Sequence, residues 1–173
     1  MTVTIPTIET ERLVLRPWAA TDHEPYADML ADERVMRWLG GTKSRDEAWR
    51  HMAMMIGHWQ LRGYGTWAIE ETATGRFVGR AGPWYTPIFP EPEIGWTLCF
   101  DVHGRGFATE AARHARAYAY DRQGWTTAVS LVAPDNRASA RVAEKLGCRP
   151  ERRIPFKGVE VDVWRHPGRA SAP

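Results

Sequence analysis

The chain has 173 residues, enough for one domain with a proper core and short for two. Hydrophobic residues make up 43% and charged residues 25%, an ordinary balance for a folded globular protein. The net charge of +2, from 23 basic and 21 acidic residues, argues against general nucleic-acid binding, and no apolar run approaches the ~18–20 residues that span a bilayer.

Met1 to Leu13 carry neither a basic n-region nor an apolar h-region, so no secretory signal is expected and the chain is expected in the cytoplasm. Glu11 to Arg16 alternates charged and apolar residues, which predicts a strand stopped by Pro17. Thr21 and Glu24 have the spacing of a capping box, predicting a helix to about Ala31. Ser44 and Glu47 form a second such box. The helix behind it carries Ala48, Met52, Met55, Ile56 and Trp59 on one stripe and ends at Gly63. Methionine fills core gaps well, so the stripe reads as packing. Thr66–Glu71 and Arg76–Ala81, joined by Thr72 to Gly75, predict a hairpin.

Proline-rich Pro83–Pro92 reads as a loop and Glu93–Val102 as a strand. From Gly106 to about Arg122 a helix is predicted, with Ala108, Ala111, Ala112, Ala115 and Ala119 on one narrow face that lets it lie close to a sheet. Thr126–Ala133 is β-branched and apolar, as in a strand buried on both faces. Glu93–Ala133 is then a strand–helix–strand crossover with parallel strands. A short helix, Arg137–Leu146, closes at Gly147, and Arg149–Ile154 and Val159–Arg165 complete the strands. The order predicts an α/β or α+β domain with a mixed sheet, over residues 1–168, and a C-terminal tail, 169–173. Cys99 and Cys148 read as free thiols, and no His, Cys or carboxylate set has metal-ligand spacing. Of the nine tryptophans, some belong in the core and a few can line an apolar pocket.

The most informative segment is His103-Gly104-Arg105-Gly106-Phe107-Ala108-Thr109-Glu110-Ala111, between a strand and a helix. Glycine lets backbone turn sharply and approach a ligand, and a helix N-terminus offers unpaired N–H groups with partial positive charge. Together they suit phosphate oxygens, with Arg105 adding charge. A ligand-free tight turn is the bland alternative. A dinucleotide site is a second one, but its third glycine is Thr109 here and the motif follows an antiparallel hairpin.

This segment resembles the coenzyme A pyrophosphate loop of the GNAT N-acetyltransferase superfamily. Thr10-Glu11-Arg12-Leu13-Val14-Leu15-Arg16-Pro17 is similar to the opening strand of its RimJ/RimL branch, which acetylates protein N-termini. Glu93-Ile94-Gly95-Trp96 resembles that branch's fourth strand, and Asn136 to Ser139 with Glu144 to Cys148 resembles its last helix. The pieces run in order from Thr10 to Cys148. His103 stands where the family usually has Gln or Arg, and Ala143 where the superfamily often has a tyrosine general acid.

The resemblance implies a GNAT-type fold: a mixed, mostly antiparallel sheet with a central parallel, splayed strand pair and helices on both faces. It implies acetyl-CoA as donor, with coenzyme A as product. The pantetheine arm would bond to backbone around Thr97, Leu98 and Cys99, and the pyrophosphate to N–H groups of Gly104, Arg105, Gly106, Phe107, Ala108 and Thr109. Asn136 would hold the arm, Ser139 would protonate the leaving thiolate, and an N–H near Leu98 would face the oxyanion.

Strand alternation puts Glu93, Gly95, Thr97 and Cys99 on one face, so Glu93 borders space beside Gly95 and is the expected base, with Glu91 as a substitute. A covalent route through Cys99 is disfavoured, since no histidine is placed by sequence to activate it. Trp84, Tyr85, Phe89 and Trp96 are the expected acceptor wall, and residues 38–44 and 83–92 the loops that choose the acceptor. That acceptor is a peptide N-terminus or a small amine, and the protein a monomer or homodimer. Two rival readings are an acyl-CoA-binding module without turnover and a nucleotide-binding oxidoreductase.

Overall fold

The computed structural model describes residues 3–169, so the tail expected at 169–173 lies, from residue 170 onward, outside the described residues. Eight strands form one sheet: β1 (Ile8–Glu9), β2 (Leu13–Arg16), β3 (Trp67–Glu71), β4 (Arg76–Trp84), β5 (Glu93–Leu98), β6 (Val129–Val132), β7 (Arg149–Phe156) and β8 (Val159–Arg165). Their spatial order is β1-β2-β3-β4-β5-β6-β8-β7. Every neighbouring pair is antiparallel except β5 and β6, which are parallel as the crossover requires. The mixed, mostly antiparallel sheet is therefore the expected one.

The helices are α1 (His23–Ala31), α2 (Glu33–Met36), α3 (Arg45–Arg62), α4 (Phe107–Arg122) and α5 (Arg137–Lys145). On one face of the sheet, α4 lays Ala111, Ala112, Ala115 and Ala119 against Ile94, Leu98 and Val78, all buried. Small side chains on that line bring the helix backbone near the strands. The other face is covered by α1 to α3, whose Tyr26, Leu30, Met36, Met52 and Met55 pack on Ala68, Phe77 and Trp84. Trp18 and Trp59 both donate their indole N–H to the carbonyl of Thr66, at 2.9 and 3.0 Å, so neither ring buries an unpaired donor.

The Ser44 box forms in full, and Gly63 ends α3 in a left-handed conformation. The Thr21 box does not form. A single 3-10 turn, Ala20–Asp22, precedes α1, and Asp22 spends its carboxylate on the N–H of Ala19 and on Arg16 at 2.8 Å. That buried ion pair fixes the entry to α1 better than a threonine hydroxyl would. Several elements are shorter or longer than the pattern suggested: β2 begins only at Leu13, and β7 runs on to Phe156. β5 stops at Leu98 and passes into a 3-10 turn, Phe100–Val102; β6 begins only at Val129; and β4 runs on through Pro83 and Trp84. Cys99 and Cys148 are free thiols. Among the described residues no helix is long and apolar enough to cross a membrane.

Candidate active site

The site begins where the parallel pair comes apart. β5 and β6 share one register pair, Glu93 with Val129, while β5 stays bonded to β4 as far as Leu98. The reason for the opening lies in two side chains. Ser130 donates its hydroxyl to the carbonyl of Ile94 at 2.7 Å, and the N–H of Leu131 donates to the Glu93 carboxylate at 3.2 Å. Backbone groups that a continued ladder would pair are thus satisfied without one. Behind Ser130, the guanidinium of Arg116 donates to Nδ1 of His166 at 3.2 Å, so Nε2 carries the proton and donates to Ser130 at 2.9 Å. Burial pushes His166 down to about 3, which keeps it neutral in this chain.

The opening is a cavity of about 120 Å³, lined on one wall by Glu93 to Thr97 and on the other by Ser130 to Ala133, Asn136 and Ser139, with Trp38, Leu39 and Arg80 at its rim. Glu93 is partly buried, and its carboxylate lies 3.6 Å from where a Cβ on Gly95 would stand. Burial pushes Glu93 up from 4.5 to about 7, against the pull of the Leu131 N–H, Arg80 and Lys157. A carboxyl poised there can accept a proton near neutral pH.

Backbone direction corrects part of the expected pantetheine contact. The N–H of Cys99 donates to Val78 in β4 at 2.9 Å, and Thr97 lies opposite Arg80 in the same ladder. Alternation then turns the backbone of Thr97 and Cys99 toward β4, and that of Ile94, Trp96 and Leu98 toward the opening. Leu98 and Trp96, not Thr97 and Cys99, offer backbone groups there. Thr97 lines the cavity with its side chain.

At the end of β5 the chain makes the glycine loop. Gly104 and Gly106 have φ of +80° and +84°, which side chains with a Cβ rarely adopt, and a Cβ on Gly106 would stand 3.3 Å from the Arg12 guanidinium. Among the described residues the N–H groups of Gly104, Gly106, Phe107, Ala108 and Thr109 meet no protein acceptor, while that of Arg105 turns back to Val102 at 3.4 Å. Free donors so placed at the start of α4 are of the kind that can hold an anion. The Arg105 side chain is committed elsewhere: it pairs with Glu71 and lies 4.4 Å over the Phe107 ring.

The loop is held by residues whose role the motif alone did not disclose. Glu110 accepts from Thr10 at 2.7 Å and from the backbone and side chain of Arg12 at 2.8 Å. Arg12 also donates to the Arg105 carbonyl at 2.8 Å. Burial would raise the Glu110 carboxyl, but these donors outweigh it and hold it below the usual range. Thr10 and Arg12, in the connection between β1 and β2, therefore hold the glycine loop in place.

Asn136 caps α5 by accepting from the N–H of Ser139 at 3.1 Å, and both residues line the cavity. Glu91 does not reach it. Arg165 and Arg152 hold its carboxylate at 2.6 Å, well below the ordinary range at about 2, so it is unfit as a base. The aromatic wall is also different from the expected one. Trp96 lines the cavity, but Trp84 is sunk in the core and stacks on His58 at 3.9 Å. Tyr85 packs on the α4-side core, and Phe89 meets Phe156 edge-on at 5.0 Å. Trp38, the first residue of the 38–44 loop expected to choose the acceptor, also lines the cavity, although it was not among the aromatic residues expected to form the wall. The Cys99 thiol is pushed up to about 11 by burial and by Asp101, so it is not activated, and His103 instead meets the Leu98 carbonyl at 3.1 Å. Among the described residues no cluster of three or more His, Cys, Asp or Glu could hold a metal ion.

A parallel pair that splays beside free donors at a helix start has the shape and chemistry to take an acyl-coenzyme A. The acetyltransferase (GNAT) domain family matches residues 12–149, and this chain belongs to that family. It is similar to YkkB of Bacillus subtilis (strain 168), with 31% identity over 80% of this chain and 82% of that one. Among solved structures, an acetyltransferase from Agrobacterium tumefaciens str. C58 is 36% identical over 96% of both chains, with a TM-score of 0.85. RimL, a ribosomal L7/L12 alpha-N-protein acetyltransferase solved in complex with coenzyme A, shares the fold at 19% identity, covering 93% of this chain and 97% of that one, with a TM-score of 0.77. The protein is thus an acetyl-CoA-dependent acyltransferase of GNAT fold with RimJ/RimL-like structural neighbours.

Proposed function

We propose that this protein transfers an acetyl group from acetyl-CoA to a primary amine, by direct attack within a ternary complex, with Glu93 as the base. The observation that carries the reading is the carboxylate of Glu93 at the paired position beyond which β5 and β6 diverge, with free backbone donors in the glycine loop that follows β5. Acetyl-CoA supplies the acyl group already activated as a thioester. The N–H groups of Gly104 and of Gly106 to Thr109 would hold its pyrophosphate, and Trp96 and Leu98 the pantetheine arm.

An amine such as lysine's has a pKa near ~10 and arrives protonated, so the site must remove a proton. Glu93, ionised above about pH 7, accepts it directly or through a water. The freed nitrogen forms a bond to the acyl carbon as the bond to sulfur breaks, and its second proton passes to solvent, to which Glu93 also returns the proton it took. The N–H of Leu98 faces the carbonyl oxygen as charge gathers there. Ser139 gives its proton to the departing thiolate and regains one from solvent. Cys99 takes no part, because its thiol stays protonated.

Thermal unfolding with acetyl-CoA, coenzyme A and NAD tests the donor. A ligand at ~100 times its dissociation constant stabilises by about 2.7 kcal/mol, several degrees for a domain of this size. Stabilisation by acetyl-CoA and coenzyme A is expected. Stabilisation by NAD alone would overturn the reading.

A further inference from the structure

Half-buried arginines in this fold are matched, with one exception. Arg16 pairs with Asp22 and Glu70, Arg165 with Glu91 and Glu151, and Arg116 donates to the Leu146 carbonyl and to His166. Arg80 has no carboxylate or carbonyl partner of this kind among the described residues; the side chain that hydrogen-bonds it is the Tyr26 hydroxyl, which is neutral. Among the described residues no carboxylate forms an ion pair with it, and its Nε is buried without any hydrogen-bond acceptor. A charged group left so is costly, unless something else completes it.

What completes it follows from its place. Arg80 lies in the middle of β4, opposite Thr97, and its side chain lines the cavity that Glu93 lines. It approaches from the face that α1 to α3 cover, the side of the sheet opposite α4. Its charge bears on Tyr26, His51 and Glu93 together. Lys157 adds positive charge toward Glu93 and His51, and Lys43 toward His51. His51, 2.5 Å from the Tyr26 hydroxyl, is itself neutral. Glu93 is the carboxylate that shares the cavity lining with these cations' field. A simple ammonium entering here meets repulsion from Arg80, whereas an amine that brings its own carboxylate matches both groups.

We propose that Arg80 binds an anionic group of the acceptor, and that the acceptor is an amine carrying a carboxylate several bonds from the reacting nitrogen. This rests on the transferase reading and adds its substrate class. The separation follows from the strands: Thr97 is four residues beyond Glu93 on β5, about 13 Å at ~3.3 Å per residue, part of which the two long side chains span. A fork of guanidinium donors suits a carboxylate in two-point contact.

The test uses the intact protein and acetyl-CoA, with product identified by mass. Small acceptors are glycine, 4-aminobutanoate and 6-aminohexanoate, each against its amide. Peptide acceptors are Asp-Ala-Ala against Asn-Ala-Ala, both C-terminally amidated. For 4-aminobutanoate, 6-aminohexanoate or the aspartyl peptide the carboxylate form should exceed its neutral counterpart in kcat/KM by about 10- to 100-fold, the size of one charge-assisted contact, while glycine, whose carboxylate is too near the nitrogen, should show no such gap over its amide. Whichever arm shows the gap identifies the source, small molecule or peptide. In Arg80→Gln the ratio should fall toward one, and in Arg80→Lys it should lie between. Neutral amines used as well as carboxylated ones by the wild-type protein would overturn the proposal and leave the transferase reading standing. An unchanged ratio in a folded Arg80→Gln would also overturn it. No N-acetyl product from any amine would overturn both.

Discussion

Replacing Glu93 by Gln should move stability and activity in opposite directions. The carboxyl rises from 4.5 to about 7 in the fold, because burial disfavours its charged form. At about 1.36 kcal/mol for each tenfold change in acidity, the folded state gives up about 3 kcal/mol when Glu93 ionises. A raised carboxyl means that the folded chain holds its proton more tightly than the unfolded chain. Below pH 4.5 both states are protonated and nothing is lost; between 4.5 and about 7 stability falls; above that the full penalty stands. Glutamine is never charged and keeps an oxygen for the Leu131 N–H. Glu93→Gln should therefore be more stable than the native protein by about 3 kcal/mol at pH 8, roughly 6–12 °C in Tm, with the gain vanishing near pH 4. Turnover should fall by about 10²- to 10⁴-fold, the usual worth of a positioned base. Paired melts at pH 4, 6 and 8, with steady-state rates on the same preparations, decide it. Turnover within a few-fold of the native value would refute the base, and a Tm gain equal at all three pH values would refute the burial argument.

Other outcomes follow from the same geometry. The native kcat/KM should rise with pH through a midpoint near about 7, the free-enzyme value of Glu93, before any fall due to other groups. Gly106→Val forces a side chain into φ +84° and against Arg12, so coenzyme A affinity should drop at least tenfold in calorimetry while the protein stays folded. Arg12→Ala unfastens Glu110 and the Arg105 carbonyl together, and should raise KM for acetyl-CoA more than it lowers kcat. Ser44→Ala removes the cap of α3 and should cost about 1 kcal/mol in denaturant melts, with little change in KM for acetyl-CoA.

Features written in short-range pattern were legible in the sequence. Alternation placed Ile94 and Leu98 on the buried α4 face and Glu93 beside Gly95, and the alanine line of α4 lies where its spacing put it. The glycine loop was legible because positive φ and free N–H groups are properties of a few adjacent residues. Features set by partners distant in the chain were not. Thr21 lost its cap because Asp22 found Arg16. Trp84 looked like a wall residue until His58 covered it, and Glu91 looked like a spare base until two arginines held it. The choice of Trp96 and Leu98 over Thr97 and Cys99 depends on which way the β4 ladder bonds, which side-chain alternation alone does not say. Arg80 is invisible for the same reason: in the hairpin it is one of two arginines, and only the sheet turns it inward without an acid to meet.

Stoichiometry of the reaction tests the central claim most directly. Purified protein, acetyl-CoA and an amine panel should release coenzyme A thiol in equal amount with N-acetylated amine, and the protein's own mass should be unchanged when acetyl-CoA is added without amine. Thiol released with no acetylated amine, or an acetyl group retained on the protein, would contradict direct transfer to an amine.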